Sequence, residues 1–272
     1  MSNCSGIVIS SLDVTFRSEN ERLEVLKNFS ITIQKGEYTV ILGPSGCGKS
    51  TFLRILAGTL QRVIPTCEVK GNIEIKLCQG DKEYKIGLAP QSYSLVPWRT
   101  VLENVLFPKI LTTNKITDQD RERATSILEM LGIGCFGKTY PSELSGGIAQ
   151  RASLARALFT ESDLLLLDEP LNAVDLYERE RIQSLLRNYT QKKGITTIHV
   201  THDIYEAAFV ASRIILMTGR PGKVHSDICL SPINRDLLFR ESKTYHALIA
   251  QLRATFNSWT DNYIKPEDWG GQ

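Results

Sequence analysis

The chain of 272 residues has no long apolar run, and this absence excludes a helix that spans a membrane. Its apolar runs are short, such as Leu164–Leu167, whereas about 20 consecutive apolar residues are needed to cross a bilayer. The amino-terminal segment also lacks the basic start and the apolar stretch of a secretory signal peptide. We therefore expect no signal peptide, and any role at a membrane to be peripheral.

Strong charge and paired cysteines are also missing. The formal net charge is only +2, so we expect no attraction to nucleic acid and no nucleic-acid partner. The six cysteines, at positions 4, 47, 67, 78, 135 and 229, form no C-x-x-C pair, and the four histidines do not cluster. This pattern favours reduced thiols in a cytosolic protein over a disulfide or metal framework.

The order of apolar patterns predicts an α/β fold. The β-rich segments near the start are Ile7–Phe16, Ile31–Ile33 and Thr39–Leu42. Beyond them, segments with helical spacing alternate with the buried-type strands Leu164–Leu167 and Thr196–Val200. We therefore predict one domain over residues 1–272, with a mainly parallel sheet and an antiparallel β subdomain at the amino terminus. A helical subdomain is expected at about 92–160 and a helical tail at about 232–258.

One segment, GPSGCGKST, fits the phosphate-loop pattern G-x-x-x-x-G-K-[ST]. Glycines let backbone N–H groups approach phosphates, and the following helix adds its positive N-terminal end. Lys49 would reach the β- and γ-phosphates of a nucleotide, and Ser50 would ligate Mg²⁺. The predicted nucleotide-binding residues of this loop are Gly43, Pro44, Ser45, Gly46, Cys47, Gly48, Lys49, Ser50 and Thr51.

A second segment, LLLLDEP, brings two carboxylates to the end of a buried strand. The carboxyl end of such a strand lies beside the phosphates in phosphate-loop folds. Asp168 would hold the magnesium ion and Glu169 would polarise the attacking water. The alternative is an acidic helix cap that follows a core strand.

A third segment, LSGGIAQR, opens a helix with Ser145, Gly146 and Gly147. A serine hydroxyl, unobstructed backbone amides and a helix N-terminus form a second anion site, although Ser145 could also be a simple helix cap. In their order and spacing, the three segments resemble the ATP-binding cassette (ABC) family over nearly the whole chain. The resemblance implies a phosphate-loop ATPase that uses ATP and Mg²⁺.

The resemblance also implies further site residues. In the family two cassettes stack head to tail. The segment that corresponds to LSGGIAQR, called the signature segment, closes over ATP bound to the other copy. Asp175 matches the aspartate that communicates across this seam, and the second cassette would be a second copy or a paralogue. Gln91 matches the glutamine that senses magnesium and water, and His202 the histidine that contacts the γ-phosphate. Phe16 is the candidate for stacking on adenine, with a core aromatic as the alternative.

Two stretches resemble one branch of the family, the importers of nitrate, sulfonate, taurine and bicarbonate type. They are LVPWRTVLENVLFP (Leu95–Pro108) and ASRIILMTGRPGKV (Ala211–Val224). This implies a subunit on the cytoplasmic face of the cell membrane that powers a permease, with a solute-binding protein outside. Departures from the family's pattern, at Ile148, Leu171 and Asn172, remove no phosphate-contacting group but could tune dimer closure.

Other functions remain as alternatives. A soluble ABC ATPase that acts on DNA or ribosomes is disfavoured, because only about fifty residues, without sustained heptads, separate Gln91 from Ser145. An unrelated phosphate-loop kinase or GTPase would not need the LSGG segment. Within the helical insert, Val96–Trp98 and the helix start Thr100–Asn104 are expected to line a groove for a helix of the permease. The alternative for Trp98 is internal packing.

Overall fold

The computed structural model describes residues 6–18, 21–78, 83–230 and 235–263. Cys4 and positions 232–234 of the expected tail lie outside these ranges. In chain order the strands are β1 (Gly6–Arg17), β2 (Arg22–Gln34), β3 (Tyr38–Leu42), β4 (Cys67–Lys76), β5 (Ile86–Ala89), β6 (Leu164–Asp168), β7 (Thr196–Thr201), β8 (Arg213–Met217) and β9 (Val224–Cys229). The α-helices are α1 (Lys49–Leu56), α2 (Leu60–Val63), α3 (Val101–Thr113), α4 (Asp118–Met130), α5 (Gly146–Phe159), α6 (Leu176–Lys193), α7 (Ile204–Val210) and α8 (Lys243–Tyr263).

Three strands from the first part of the chain form an antiparallel sheet in the order β2-β1-β4. Apolar residues alternate along β1 and β2, so one face of this sheet is buried: Ile7, Ile9, Ile31 and Ile33 are at most 6% exposed. The buried face packs on one side of the central sheet. The predicted amino-terminal β subdomain is therefore present.

The central sheet has the strand order β5-β6-β7-β3-β8-β9, and its first five strands are parallel. A parallel sheet is covered on both faces, which explains the uninterrupted apolar run of β6. Leu164 and Leu166 point to the antiparallel sheet, whereas Leu165 and Leu167 point to the helices on the other side. The last strand, β9, runs antiparallel to β8, a reversal that the sequence pattern did not predict.

The region between β5 and β6 is helical. Helix α3 begins at a capping box, in which the Glu103 amide donates to Thr100 Oγ1 and Glu103 Oε2 accepts from the Thr100 amide. Helices α3, α4 and α5 share one apolar cluster with Leu165 and Leu167 of β6. Trp98, just before α3, is 77% exposed, so the alternative of internal packing for this residue was wrong.

The last helix packs on the same face of the central sheet as helices α3–α5, over strands β3 and β8. Tyr245, Ile249 and Leu252 of α8 are buried in a cluster with α7 and with strands β3 and β8, and Leu248 and Phe256 pack at its edge. These five residues thus form one apolar face of the helix. Among the described residues, no helix combines the length and the apolar character required to cross a membrane.

Candidate functional site

The phosphate loop connects β3 to α1 at the carboxyl edge of the central sheet. Gly48 ends the loop with φ +101°, a conformation that favours glycine, and an added Cβ there would lie 2.7 Å from Leu26 Cδ2. Lys49 is 5% exposed, and its Nζ donates hydrogen bonds of 2.8 Å to the carbonyl oxygens of Gly43 and Pro44. The loop therefore holds the ammonium group of Lys49 beside the backbone of Gly43 and Pro44, at the start of the loop.

Two of the predicted nucleotide-binding residues of this loop are buried. Gly43 is buried, and the side chain of Cys47 is 1% exposed and packs in the core below the loop. Burial raises the pKa of the Cys47 thiol, which is therefore neutral at pH 7. Any contact of these two residues with a phosphate is restricted to their backbone.

Ser50, in the first turn of α1, and Asp168, at the end of β6, lie together at the carboxyl edge of the central sheet. Ser50 Oγ donates a hydrogen bond of 2.9 Å to Asp168 Oδ1. Asp168 is 4% exposed, and this burial raises the pKa of its carboxyl group, with the hydrogen bond from Ser50 acting in the opposite direction. The carboxylate is thus held where its negative charge is poorly solvated.

These groups fit a magnesium ion. A carboxylate and a hydroxyl are hard oxygen donors, and Mg²⁺ is usually held by one or two carboxylates together with substrate phosphates. The poorly solvated charge of Asp168 is what a nearby cation would stabilise. The described residues contain no cluster of three or more His, Cys, Asp or Glu side chains that could hold a metal.

Glu169, the next residue, is the centre of a polar cluster. Its Oε1 lies 3.0 Å from His202 Nδ1. Its Oε2 accepts hydrogen bonds from Gln91 Nε2 at 3.4 Å and from Nδ2 of the Asn172 side chain. Its backbone has φ +48°, in the left-handed region, which costs a residue other than glycine about 1–2 kcal/mol. Backbone strain of this kind is common at functional sites.

Gln150, a residue of the LSGGIAQR segment, supports this cluster from behind and was not singled out from the sequence. It is 4% exposed; its Nε2 donates to the Glu169 carbonyl at 2.9 Å, and its Oε1 accepts from the Ala173 amide at 2.7 Å. It therefore fixes the turn that carries Glu169 and Asn172. Its position within a recognised motif was the only available signal, because its bonding partners lie 19 and 23 residues away.

An open cleft of about 200 Å³ brings many of the predicted residues together. Phe16, Leu23 and Val25 line its apolar side, while Gln91 and Glu169 line its polar end. Its other lining residues are Ser45, Gly46, Gly48, Lys49, Ser50, Thr51 and Arg220. Phe16 thus lies beside the phosphate loop, as an adenine-stacking residue requires, and Arg220 is an addition that the sequence did not indicate.

The signature segment is not part of this cleft. Ser145 caps helix α5 by accepting from the Ile148 amide at 3.4 Å, and Ser145 and Gly146 are exposed. Asp175 likewise caps α6, accepting from the Glu178 amide at 3.1 Å. None of Ser145, Gly146, Gly147 and Asp175 is among the described residues that line the cleft. In a single copy, these four residues therefore lie apart from the cleft at the phosphate loop.

The arrangement is that of a nucleotide-hydrolysing cassette, and comparison with known proteins identifies its family. The pattern of the ABC transporter family matches residues 26–172. The chain is 36% identical over 241 residues to the aliphatic sulfonates import ATP-binding protein SsuB of Bacillus cereus (strain ATCC 10987 / NRS 248), covering 88% of this chain and 89% of that protein. The chain belongs to the ABC transporter family.

Two solved structures of one bacterial ABC transporter cassette, MJ0796, share the fold. The dimeric structure superposes with a TM-score of 0.72 at 32% identity, covering 84% of this chain and 100% of that one. A dimeric post-hydrolysis state bound to ADP and phosphate gives a TM-score of 0.71 at 31% identity, with the same coverage. The chain is thus an ATP-binding and ATP-hydrolysing subunit of an ABC importer, with the expected phosphate-loop fold.

Proposed function

We propose that Glu169 is the base of ATP hydrolysis and that this chemistry drives the import of a small anionic solute through a separate permease. The observation that carries the proposal is the position of the Glu169 carboxylate. It lies at the polar end of the cleft lined by Lys49, within 3.0 Å of His202. A carboxylate next to a phosphate cradle is suited to accept the proton of a water molecule that attacks the γ-phosphate.

In this mechanism the side chains of the cleft bind the phosphates, accept the proton and orient the water. Lys49 pairs with the β- and γ-phosphate oxygens, and Glu169 takes one proton as the water oxygen bonds to the γ-phosphorus. The bond from that phosphorus to the bridging oxygen breaks, giving ADP and phosphate. His202 orients the Glu169 carboxylate and contacts the γ-phosphate, and Gln91 orients the water.

Ser50, Asp168 and Gln91 are the proposed ligands of Mg²⁺. When bound, the ion would neutralise charge on the β- and γ-phosphates. The 2.9 Å hydrogen bond between Ser50 and Asp168 supports the assignment of these two residues, because it places both oxygens close enough together to contact one ion. Gln91 lies on the cleft wall shared with Glu169 and also faces the groove that contains Asp168.

The adenine ring is proposed to stack on Phe16. This side chain is half-buried and lines the apolar wall of the cleft with Leu23 and Val25. An aromatic face gives an adenine a large contact area at little conformational cost. The main chain of the phosphate loop, from Gly43 to Thr51, then cradles the phosphates.

The second anion surface is proposed to act on the nucleotide of another cassette. Ser145, Gly146 and Gly147 open helix α5 but lie outside the cleft of their own chain, so their exposed hydroxyl and amides are available to a partner copy. Asp175 is the N-cap residue of helix α6, at the end of the short segment that follows Glu169. It would contact the partner copy across the interface between the two cassettes. The dimeric state of the cassette MJ0796 supports this arrangement.

A groove of about 530 Å³ is the proposed contact with the permease. Residues of α1 and α2, including Leu53 and Val63, form one side, and Gln91, Ser92 and Ser94 form the other, with Asp168 also on the lining. A helix of the permease seated here would touch both Gln91 and the magnesium-binding region. This would couple transport to the state of the nucleotide.

The helix start after Trp98 contributes less to this contact than its sequence suggested. Val101 and Asn104 are fully buried. Asn104 accepts from the Val96 amide at 2.7 Å and donates to the carbonyl oxygens of Val96, Arg99 and Thr100 at 3.0–3.2 Å, so its task is to hold the loop. Pro97 and the exposed Trp98 remain as permease-contacting residues on that loop.

The imported solute is proposed to be an organic sulfonate or a similar small anion. This rests on the sulfonate-import relatives, which match most of the chain. The subunit would lie on the cytoplasmic face of the cell membrane, with a periplasmic or extracellular solute-binding protein as an indirect partner. A soluble ABC ATPase without a transport role is not favoured by these relatives.

Hydrolysis is tested with the purified full chain. Wild type should release phosphate from ATP only in the presence of Mg²⁺, and Lys49→Ala should abolish turnover because it removes the cation at the β- and γ-phosphates. Lys35→Ala, which removes an exposed lysine outside the cleft, serves as the control. Near-normal turnover of Lys49→Ala would contradict the phosphate-loop assignment.

Transport is tested by purifying the tagged chain from membranes of the organism that encodes it. We expect a multi-span membrane protein to co-purify, and the reconstituted complex to take up ethanesulfonate in an ATP-dependent manner. Nitrate and bicarbonate are used as competitors to define the solute class. Recovery of the chain without any membrane subunit would favour the soluble alternative, and uptake of nitrate alone would overturn the sulfonate assignment.

A further inference from the structure

The turn between β8 and β9 is hydrogen-bonded to β2 and lies against the phosphate loop. The Gly222 amide donates to the Val25 carbonyl at 2.8 Å, and the Lys27 amide donates to the Gly222 carbonyl at 3.1 Å. A Cβ on Gly222 would lie 2.1 Å from the carbonyl oxygen of Cys47, so only glycine permits this close approach. The turn is therefore fixed beside the loop that holds the phosphates.

Arg220 extends from this turn over the phosphate loop. Its Nε donates a hydrogen bond of 3.3 Å to the Gly46 carbonyl, and the side chain lines the same cleft as Lys49 and Phe16. Arg220 is exposed, so its guanidinium can change its orientation without a cost in core packing. The cleft thus has two cationic side chains, Lys49 and Arg220, and one anionic side chain, Glu169.

Arg220 and Arg213, the two arginines of this hairpin, differ in their charge partners. Among the residues that the structure describes, no carboxylate forms an ion pair with it. Arg213, at the start of the same hairpin, is different: its Nε donates to Asp227 at 2.7 Å, and its guanidinium lies 3.5 Å from the Glu37 carboxylate. An arginine without an acidic partner, held at a phosphate cradle, is suited to bind a phosphate group.

We infer that Arg220 is a nucleotide-binding residue whose guanidinium pairs with phosphate oxygens of the ATP or ADP bound at the loop. The inference deepens the proposed nucleotide site and rests on it. In this arrangement Lys49 approaches the phosphates from within the loop, and Arg220 approaches them from its outer side. Arg220 belongs to the stretch Ala211–Val224, which indicated the importer branch but no role for this residue.

The test measures the affinity of the full chain for fluorescent ATP and ADP analogues. Arg220→Ala should weaken both by about tenfold, the scale of one lost charge-assisted hydrogen bond at an exposed site, and Arg220→Lys should lose less because it keeps the charge. The affinity of Arg220→Ala should also depend less on salt than that of wild type. Lys223→Ala is the matched control, because it removes one exposed cation from the same turn but outside the cleft.

The outcomes are separable. If wild type binds no nucleotide, the proposed function fails; if wild type binds and Arg220→Ala binds equally well, only the inference fails. If Arg220→Ala binds normally but no longer dimerises with ATP, Arg220 belongs to the seam between copies and the inference is again overturned. Thermal unfolding without nucleotide should be the same for wild type and variant, because a loss of folded protein would otherwise imitate the predicted effect.

Discussion

Ser50 donates a 2.9 Å hydrogen bond to Asp168, although 118 residues separate the two in the chain. The fold brings them together because β3 and β6 both pair in parallel with β7, so the segments that follow β3 and β6 emerge at one edge of the sheet. Parallel strands converge on a ligand site at this edge. The fold thus brings together the hydroxyl and the carboxylate that are proposed to bind Mg²⁺.

Asp168→Asn should stabilise the nucleotide-free subunit at pH 7 while it abolishes Mg²⁺-dependent hydrolysis. Burial raises the pKa of Asp168 above its unfolded value of about 3.9, so the folded protein binds more protons between these two pKa values. Its stability therefore falls as pH rises through that window, and at pH 7 the charged carboxylate is a cost that asparagine lacks.

Thermal unfolding at several pH values checks this expectation. The melting temperature of Asp168→Asn should exceed that of wild type at pH 7, and the difference should vanish below about pH 3.9. A variant that is less stable than wild type at pH 7 would show that Asp168 is stabilised by its surroundings.

Asn172→Ser should raise the basal ATPase rate of the isolated subunit. Nδ2 of the Asn172 side chain donates to Glu169 Oε2, and this bond competes with the proton that the base must accept. Removing the donor should accelerate turnover by up to about tenfold, equivalent to roughly 1.4 kcal/mol in the barrier. Asn72→Ser, an exposed change in β4, is the control. An unchanged or slower steady-state rate would mean that Asn172 positions the base productively.

Sequence motifs predicted the phosphate loop, the strand that carries Asp168 and Glu169, and the helix that begins after Ser145, because each motif contains its own turn chemistry. Local patterns could not predict Gln150 and Asn104, because their hydrogen bonds are set by tertiary packing. Arg220 was missed for the same reason, since the turn that carries it is fixed by β2.

The two histidines of β7 and its end illustrate the same limit. His199 is fully buried, lies 3.0 Å from the Tyr38 hydroxyl and has a pKa lowered by burial, whereas the side chain of His202 is 53% exposed beside Glu169. Both occur in the short segment HVTH. Motif order identified His202 as the candidate, but only packing against Tyr38 explains why His199 is structural.

Trp98→Ala should leave the free subunit intact but weaken its assembly with the permease. Because Trp98 is 77% exposed, the change in the free energy of unfolding should stay within about 0.5 kcal/mol. Aromatic anchors often dominate interfaces, so co-purification with the permease should fall. Leu238→Ala, which alters another exposed apolar residue, is the control. Full assembly and transport by Trp98→Ala would remove this residue from the interface.

The mass of Glu169→Gln in solution with ATP shows whether Glu169 hydrolyses ATP between two copies of the chain. Glutamine preserves the shape of the side chain but cannot accept the proton, so turnover should fall at least about a hundredfold and ATP should stay trapped between the copies. Light scattering after size exclusion should then give twice the 30.5 kDa of one chain with ATP, and the monomer when Lys49→Ala is added. A monomer with ATP, together with retained turnover, would show that Glu169 is not the base of hydrolysis between two copies.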